Sequence, residues 1–326
     1  MRVLKDHDYG LLERLVALTQ QELHKTLSVY LKSQYTTVIT KKDYTVAIGD
    51  IPIALVAHMD TVFSHPASEV FYDQRKGVLW SPDGLGADDR AGIFAILQIV
   101  KSGLRPSIIL TTDEERGGLG AQELAKQKCP IPNLKYMIQL DRHGTNDCVF
   151  YDCFCPEFTS YIESFGFSER IGSFSDISFL MPAWDICGVN LSVGYENEHS
   201  LCEVLYINAL LDTIDKVKKM LTAENIPDFE YDELVNALQG YNRVEYETDM
   251  LGTPCCKCEK YFFDFELIPV KGYNVKKMKY YCSDCVVNNV NWCDNCGFAY
   301  EIGDPEEDID LCSDCMQEVL TSAKNN

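Results

Sequence analysis

No apolar run in this chain approaches the roughly 20 residues that a membrane-spanning helix requires, so no membrane partner is expected. The opening stretch Met1-Arg2-Val3-Leu4-Lys5-Asp6-His7-Asp8 lacks the apolar segment of a secretory signal, and a cytoplasmic location is expected. Positive charge is scarce. Against 50 Asp and Glu stand only 29 Lys and Arg, a net charge of -21 that would repel phosphate over most of the surface. Nucleic acid is thereby excluded as a general partner. The acidity either keeps the protein dispersed, or marks carboxylates gathered around cations or a cationic substrate.

What is present points first to a globular enzyme-sized core. The 326 residues suffice for one large domain and a small one, and a hydrophobic content of 46% can bury a real interior. Residues 1–222 alternate helical and strand-like patterns, which predicts an α/β domain with a central mixed sheet flanked by helices. Leu12, Leu15, Val16, Leu23, Leu27 and Leu31 predict an opening amphipathic helix. Strands are expected near 35–39, 44–48, 53–57, 107–112, 136–140 and 188–193, with helices near 91–100 and 121–127. Ile207, Leu210, Leu211, Ile214, Val217 and Leu221 predict a closing helix. Residues 223–253, acidic and tyrosine-rich, read as a linker with a short helix near 230–238, and residues 254–326 as a small cysteine-rich domain.

Metal-competent residues follow four of the expected strands. His58-Met59-Asp60 follows 53–57, Asp113-Glu114-Glu115 follows 107–112, Asp141 follows 136–140, and a loop carrying His199 follows 188–193. In open α/β sheets the carboxyl ends of strands are where loops converge into sites. A fifth element, Gly84-Leu85-Gly86-Ala87-Asp88-Asp89-Arg90-Ala91-Gly92, is a glycine-rich turn entering a helix. Singly, each feature has a plain reading: a helix cap at Asp88, a hydrogen-bonded structural histidine, a solvated Glu114-Glu115 turn. Together they form a set of imidazoles and carboxylates suited to zinc, with manganese or cobalt as substitutes. Two such ions need a shared carboxylate, and hydrolysis through their water needs a proton carrier.

The segments His58-Met59-Asp60, Gly86-Ala87-Asp88-Asp89-Arg90-Ala91-Gly92, Thr112-Asp113-Glu114-Glu115 and Gly194-Tyr195-Glu196-Asn197-Glu198-His199 resemble the co-catalytic di-zinc exopeptidases. That superfamily includes peptidase T and the bacterial leucyl-type aminopeptidases, and the resemblance spans about residues 8–222. It implies that Asp88 bridges two zinc ions, with His58 and Asp141 on one and Glu115 and His199 on the other. It implies Glu114 as general base and acid, and Asp60 as the residue orienting His58. Ser175-Asp176 resembles a pocket-lining stretch, whereas Asp89 and Arg90 are expected to serve helix start and packing. Only about sixty residues separate Asp141 from His199, too few for the inserted lid of peptidase T. A peptide is the substrate implied, cleaved by an aminopeptidase or small-peptide exopeptidase. Two rivals are an N-acyl amino acid deacylase or amidase using the same site, and a protein-binding module acting through the tail.

Eight of the fifteen cysteines fall in Cys-x-x-Cys pairs: Cys255/Cys258, Cys282/Cys285, Cys293/Cys296 and Cys312/Cys315. Two four-thiolate zinc sites would use all eight, paired sequentially or interleaved. A zinc-finger-like tail of this kind would be a structural unit or a surface for a protein partner. Cys256 is a spare neighbour, and Cys129, Cys148, Cys153, Cys155, Cys187 and Cys202 read as reduced thiols.

Overall fold

The leucine stripe of the first thirty residues folds as two helices, α1 (Asp6–Val16) and α2 (Gln20–Gln34), rather than one. The break has a local cause. Thr19 accepts a hydrogen bond from the Glu22 backbone, and the Glu22 carboxylate accepts one from Thr19 N, a reciprocal cap that starts a new helix. Leu12, Leu15, Leu23, Leu27 and Leu31 all reach the core from this pair.

These positions come from a computed structural model describing residues 2, 4–232, 253–258, 260–262, 267–271, 278–282, 285–286, 289–293 and 299–301. The chain divides into two units, Met1–Tyr241 and Asn242–Asn326. No helix among the described residues is long and apolar enough to cross a membrane.

In the first unit the chain continues through β1 (Thr37–Thr40), β2 (Tyr44–Ile48), β3 (Ile51–His58), β4 (Phe71–Asp73), β5 (Val78–Trp80) and α3 (Ala87–Lys101). Then come β6 (Pro106–Thr111), α4 (Leu119–Ala125), β7 (Tyr136–Arg142), β8 (Asp147–Val149), α5 (Pro156–Glu163) and β9 (Ser168–Glu169). The unit closes with α6 (Asp176–Trp184), β10 (Cys187–Ser192), β11 (Tyr195–Glu196), β12 (Val204–Tyr206) and α7 (Ile207–Leu221). Eight strands form one mixed sheet in the order β1-β2-β6-β3-β7-β10-β8-β9, and β11-β12-β5-β4 form a smaller one. Within the large sheet β6, β3, β7 and β10 are parallel neighbours. Their carboxyl ends therefore lie side by side at one edge. β3, β6 and β10 are apolar and buried along nearly their whole length, as a parallel strand covered on both faces must be.

Between Asp141 and His199 the chain spends itself on β8, α5, β9, α6 and β10, all of which join or pack on the main sheet. No lid domain is inserted there. The expected linker behaves differently from a spacer at its start. Residues 226–232 lie along the first unit, where Lys135 Nζ donates to the Ile226 carbonyl and Phe154 N donates to the Asp232 carbonyl at 2.8 Å. Phe229 sits among Tyr136, Phe158 and Tyr161, with ring centroids 5.8, 4.8 and 5.5 Å away. Residues 230–232 are not helical, and the rest of the helix expected near 230–238 lies outside the described residues.

The second unit contains a hairpin of β13 (Thr253–Pro254) and β14 (Tyr261–Phe262). A four-stranded sheet follows, built from β15 (Leu267–Lys271), β16 (Met278–Cys282), β17 (Val290–Trp292) and β18 (Ala299–Glu301) in the order β16-β15-β18-β17. Among the described residues its apolar core is small: Leu267, Val270, Tyr281, Val286, Val290 and Ala299 surround Cys255 and Cys282. A core of that size needs a covalent or metal staple to hold it.

Candidate metal centre

The four neighbouring strand ends deliver the expected side chains to one place. β3 ends in His58, β6 leads into Glu114 and Glu115, β7 carries Asp141, and the loop after β10 carries His199. Asp88 enters from the start of α3. There Gly86 adopts a left-handed φ of 65°, and the Asp88–Asp89 peptide is cis. Gly92, one turn on, cannot be replaced: a Cβ there would lie 2.2 Å from the Leu140 carbonyl oxygen and 2.4 Å from Asp89 Oδ1. That closeness lets α3 press its first turn against β7.

Asp88 stands between the two histidines. Its Oδ1 lies 3.0 Å from His58 Nε2 and its Oδ2 3.2 Å from His199 Nε2. Asp141 Oδ1 lies 3.5 Å from His58 Nε2, and Glu115 Oε2 3.0 Å from His199 Nε2. Two triads thus converge, His58 with Asp88 and Asp141, and Asp88 with Glu115 and His199, each with its ligand atoms within 4.8 Å of one another. Glu114 joins His58 and Glu115 in a further such group.

Supporting bonds hold these side chains in register. Asp60 accepts from the backbone N–H of Glu114 and of Glu115, both at 3.0 Å, while its Oδ1 lies 3.3 Å from His58 Nδ1. One carboxylate therefore ties His58 to the Glu114–Glu115 turn. Asp141 is held from three sides, by Ser175 Oγ at 2.7 Å, Gln139 Nε2 at 3.1 Å and the Tyr195 hydroxyl at 3.1 Å. Asp176, beside Ser175, accepts from Thr111 Oγ1. Asp89 accepts from His58 N and Gly92 N, and Arg90 donates to the carbonyls of Met59 and Leu18, so both fasten the start of α3.

Glu203 carries no signal in the sequence, yet it is buried at 1% exposure beneath this loop. Its carboxylate accepts from Gly86 N at 2.5 Å and from Asp88 N at 3.0 Å, fixing the backbone from which Asp88 projects. Only the return of the chain through β12 places it there. Asn190 is equally silent, and Tyr195 stands in the Gly194–His199 stretch without a role that the sequence assigns to it.

The electrostatics ask for a cation. Burial pushes the Glu114 carboxyl up to about 9, with Asp141, Asp176 and Glu115 adding repulsion against the pull of His58. Burial and Asp88 push Glu115 up to about 7. Hydrogen bonding to Asp88, working against burial, lifts His199 to about 9. Among the described residues no Lys or Arg pairs with Asp88, Glu114, Glu115 or Asp141. Packing this many carboxylates without a countercharge is costly, and divalent cations offset such clusters. The donor set of imidazole nitrogen and carboxylate oxygen fits zinc.

A cavity of about 360 Å³ opens over Asp88, Glu114, Glu115, Asp141 and His199. A second, of about 490 Å³, lies on the other side of Glu115 and is lined by Leu18, Phe63, His65 and Arg116 among others.

In the second unit, Cys255, Cys258, Cys282 and Cys285 bring their sulfurs within 4.8 Å of one another. The turn of the β13–β14 hairpin supplies the first two, and the end of β16 supplies Cys282, with Cys285 just beyond. Cys255 Sγ accepts from Cys282 N at 3.4 Å. Burial would raise the Cys255 thiol, but N–H groups of Cys258, Cys282 and Lys257 outweigh it and draw the thiol down to about 6, toward the thiolate a metal binds. The first cysteine pair is therefore grouped with the second, the sequential alternative. Cys293 is buried, and Cys296, Cys312 and Cys315 lie outside the described residues.

Residues 38–161 match the family described as peptidase family M28. Among solved structures, the chain is similar to aminopeptidase PepT from Bacillus cereus, at 15% identity over 67% of this chain and 98% of that one, with a TM-score of 0.53. A tripeptidase from Staphylococcus aureus gives 15% identity over 67% and 98%, with a TM-score of 0.54. The TET aminopeptidase of a marine sediment Thaumarchaeota archaeon gives 14% over 68% and 98%, also at 0.54. Comparison with curated protein sequences gives no match. At such identities the structures speak for the fold, and the matched stretch 38–161 contains His58, Asp88, Glu114, Glu115 and Asp141. With its mixed sheet, its cluster of His, Asp and Glu at the strand ends and its match to peptidase family M28 over residues 38–161, the chain is a zinc metallopeptidase.

Proposed function

We propose that the first unit is an aminopeptidase for short peptides that works with two zinc ions. The observation carrying this reading is Asp88, whose two oxygens face His58 and His199 separately, so that two ligand triads share one carboxylate. His58, Asp88 and Asp141 would hold one ion, and Asp88, Glu115 and His199 the other. Bound there, zinc would supply a water of lowered pKa and polarise the scissile carbonyl. Glu114, grouped with His58 and Glu115 beside both triads, takes the proton from the attacking water and returns it to the departing amine. Asp60 keeps Glu114, Glu115 and His58 in mutual register while this happens. The free α-amine of the substrate would lie against the acidic wall of the cavity, which includes Glu198. The second unit would hold a structural zinc through Cys255, Cys258, Cys282 and Cys285. Among the described residues no disulfide joins two cysteines, which suits a reducing, cytoplasmic setting.

A panel of short peptides, each offered with a free and an N-acetylated amino terminus to the zinc-loaded protein, tests this reading. Release of the first residue from the free peptides, with the acetylated ones poorly cleaved, is the expected outcome. Preferential cleavage of acetylated substrates would replace the aminopeptidase with a deacylase.

A further inference from the structure

The cavity over the metal-competent residues has one cationic side chain that the chemistry above does not use. Arg142 follows Asp141 at the end of β7 and lines the same cavity as Asp88, Glu115 and His199. Among the described residues it is the only Lys or Arg in that lining. Among the described residues it has no Asp or Glu within ion-pair distance, in a protein whose acidic residues outnumber its basic ones by 50 to 29. His143, the other basic group of the lining, is already matched to Glu198, Nδ1 to Oε1 at 2.5 Å.

The guanidinium is also short of acceptors. Among the described residues its Nε is buried without a hydrogen-bond partner, and Nη2 has only a long contact, 3.5 Å, to the Ile171 carbonyl. Leaving a buried charged donor unpaired is unfavourable, and a guanidinium offers a planar fork whose natural complement is a carboxylate. The wall around it can receive such a group, since Gly172 and Ser173 place little side-chain bulk there and Phe174 supplies an apolar side. The other charged side chains around the cavity are carboxylates or histidines paired with them, so beyond the metal positions an anion entering this space has Arg142 as its side-chain anchor.

We propose that Arg142 binds a carboxylate of the substrate and so sets which peptides are cleaved. The inference rests on the peptidase reading and adds the substrate class to it. Two carboxylates would meet the guanidinium on the same terms: the side chain of an N-terminal Asp or Glu, or the terminal carboxylate of a dipeptide. Pairs differing only in carboxylate and amide separate them. Glu p-nitroanilide against Gln p-nitroanilide reports the side chain, and Leu-Gly against Leu-Gly amide reports the terminus.

The expected result is that in one pair the zinc-loaded protein favours the carboxylate member by about 10- to 100-fold in kcat/KM, the range of one charge-assisted pair. In Arg142→Gln, checked for native zinc content and thermal transition, that ratio should fall to near one. In Arg142→Lys part of it should survive, because the charge remains and the fork is lost. Ratios near one in both pairs for the native protein, or a ratio unchanged in Arg142→Gln, would overturn the inference while leaving the peptidase standing. Failure to hydrolyse any member of either pair would bring down the peptidase reading and this inference with it.

Discussion

Replacing Phe229 with alanine should destabilise the first unit by about 2 kcal/mol, although the residue lies beyond the last helix and far from the metal centre in sequence. Its ring sits 4.8–5.8 Å from the rings of Phe158, Tyr161 and Tyr136, of which Phe158 and Tyr136 are fully buried. A completely buried Phe→Ala change costs about 3–5 kcal/mol. Phe229 is only partly buried, which lowers the figure, while its aromatic contacts restore about 0.5–1.5 kcal/mol. For a unit of this length each kcal/mol moves the thermal midpoint by about 2–4 °C, so a drop of about 4–8 °C is expected by calorimetry. A protein cut after Asn225 should show at least the same loss, because it also removes the bonds made by the Ile226, Glu230 and Asp232 carbonyls. A protein cut after Asp232 should not. Equal midpoints for these two truncations, or a shift below about 1 °C in Phe229→Ala, would refute the claim that this segment belongs to the catalytic unit.

Other outcomes follow from the two metal-binding groups. Asp88→Ala should lower zinc occupancy at both positions of the first unit, since each triad contains that carboxylate; a variant that still binds two ions tightly, measured by metal analysis after dialysis, contradicts the shared-ligand reading. Cys255→Ser should remove one zinc from the whole protein and unfold the second unit while leaving hydrolysis of short peptides intact, because its small core depends on the thiolate site. Loss of peptide hydrolysis in that variant would mean the second unit shapes the substrate site.

Much of this centre is legible in the sequence because parallel strands are written as short apolar runs, and the residue after each run is fixed to one edge of the sheet. His58, Glu114, Glu115, Asp141 and His199 each sit at or just past such a run, and Asp88 sits in a glycine-marked turn. The supporting residues are a different case. Glu203 is an acid in a polar loop, and nothing local separates it from a solvated one; its role appears only when β12 returns beneath the Gly86–Asp88 backbone. Phe229 was read as part of a linker because a single aromatic residue among acids has no periodicity, and its partners come from β7 and α5. The split between α1 and α2 is hidden for the opposite reason, since the leucine stripe runs straight through the Thr19–Glu22 cap that divides the two helices.

The central claim is that Glu114 carries the proton in a metal-assisted hydrolysis, and one variant tests it most directly. Glu114→Gln preserves the shape of the side chain while removing its ability to accept and return a proton, which is typically worth about 10²–10⁴-fold. Zinc content and turnover of a free-amine peptide should be measured on the same preparation. Two zinc ions retained in the first unit with kcat reduced by about 10²–10⁴-fold is the predicted result. Two ions retained with turnover near that of the unaltered protein would remove Glu114 from the reaction and contradict the account.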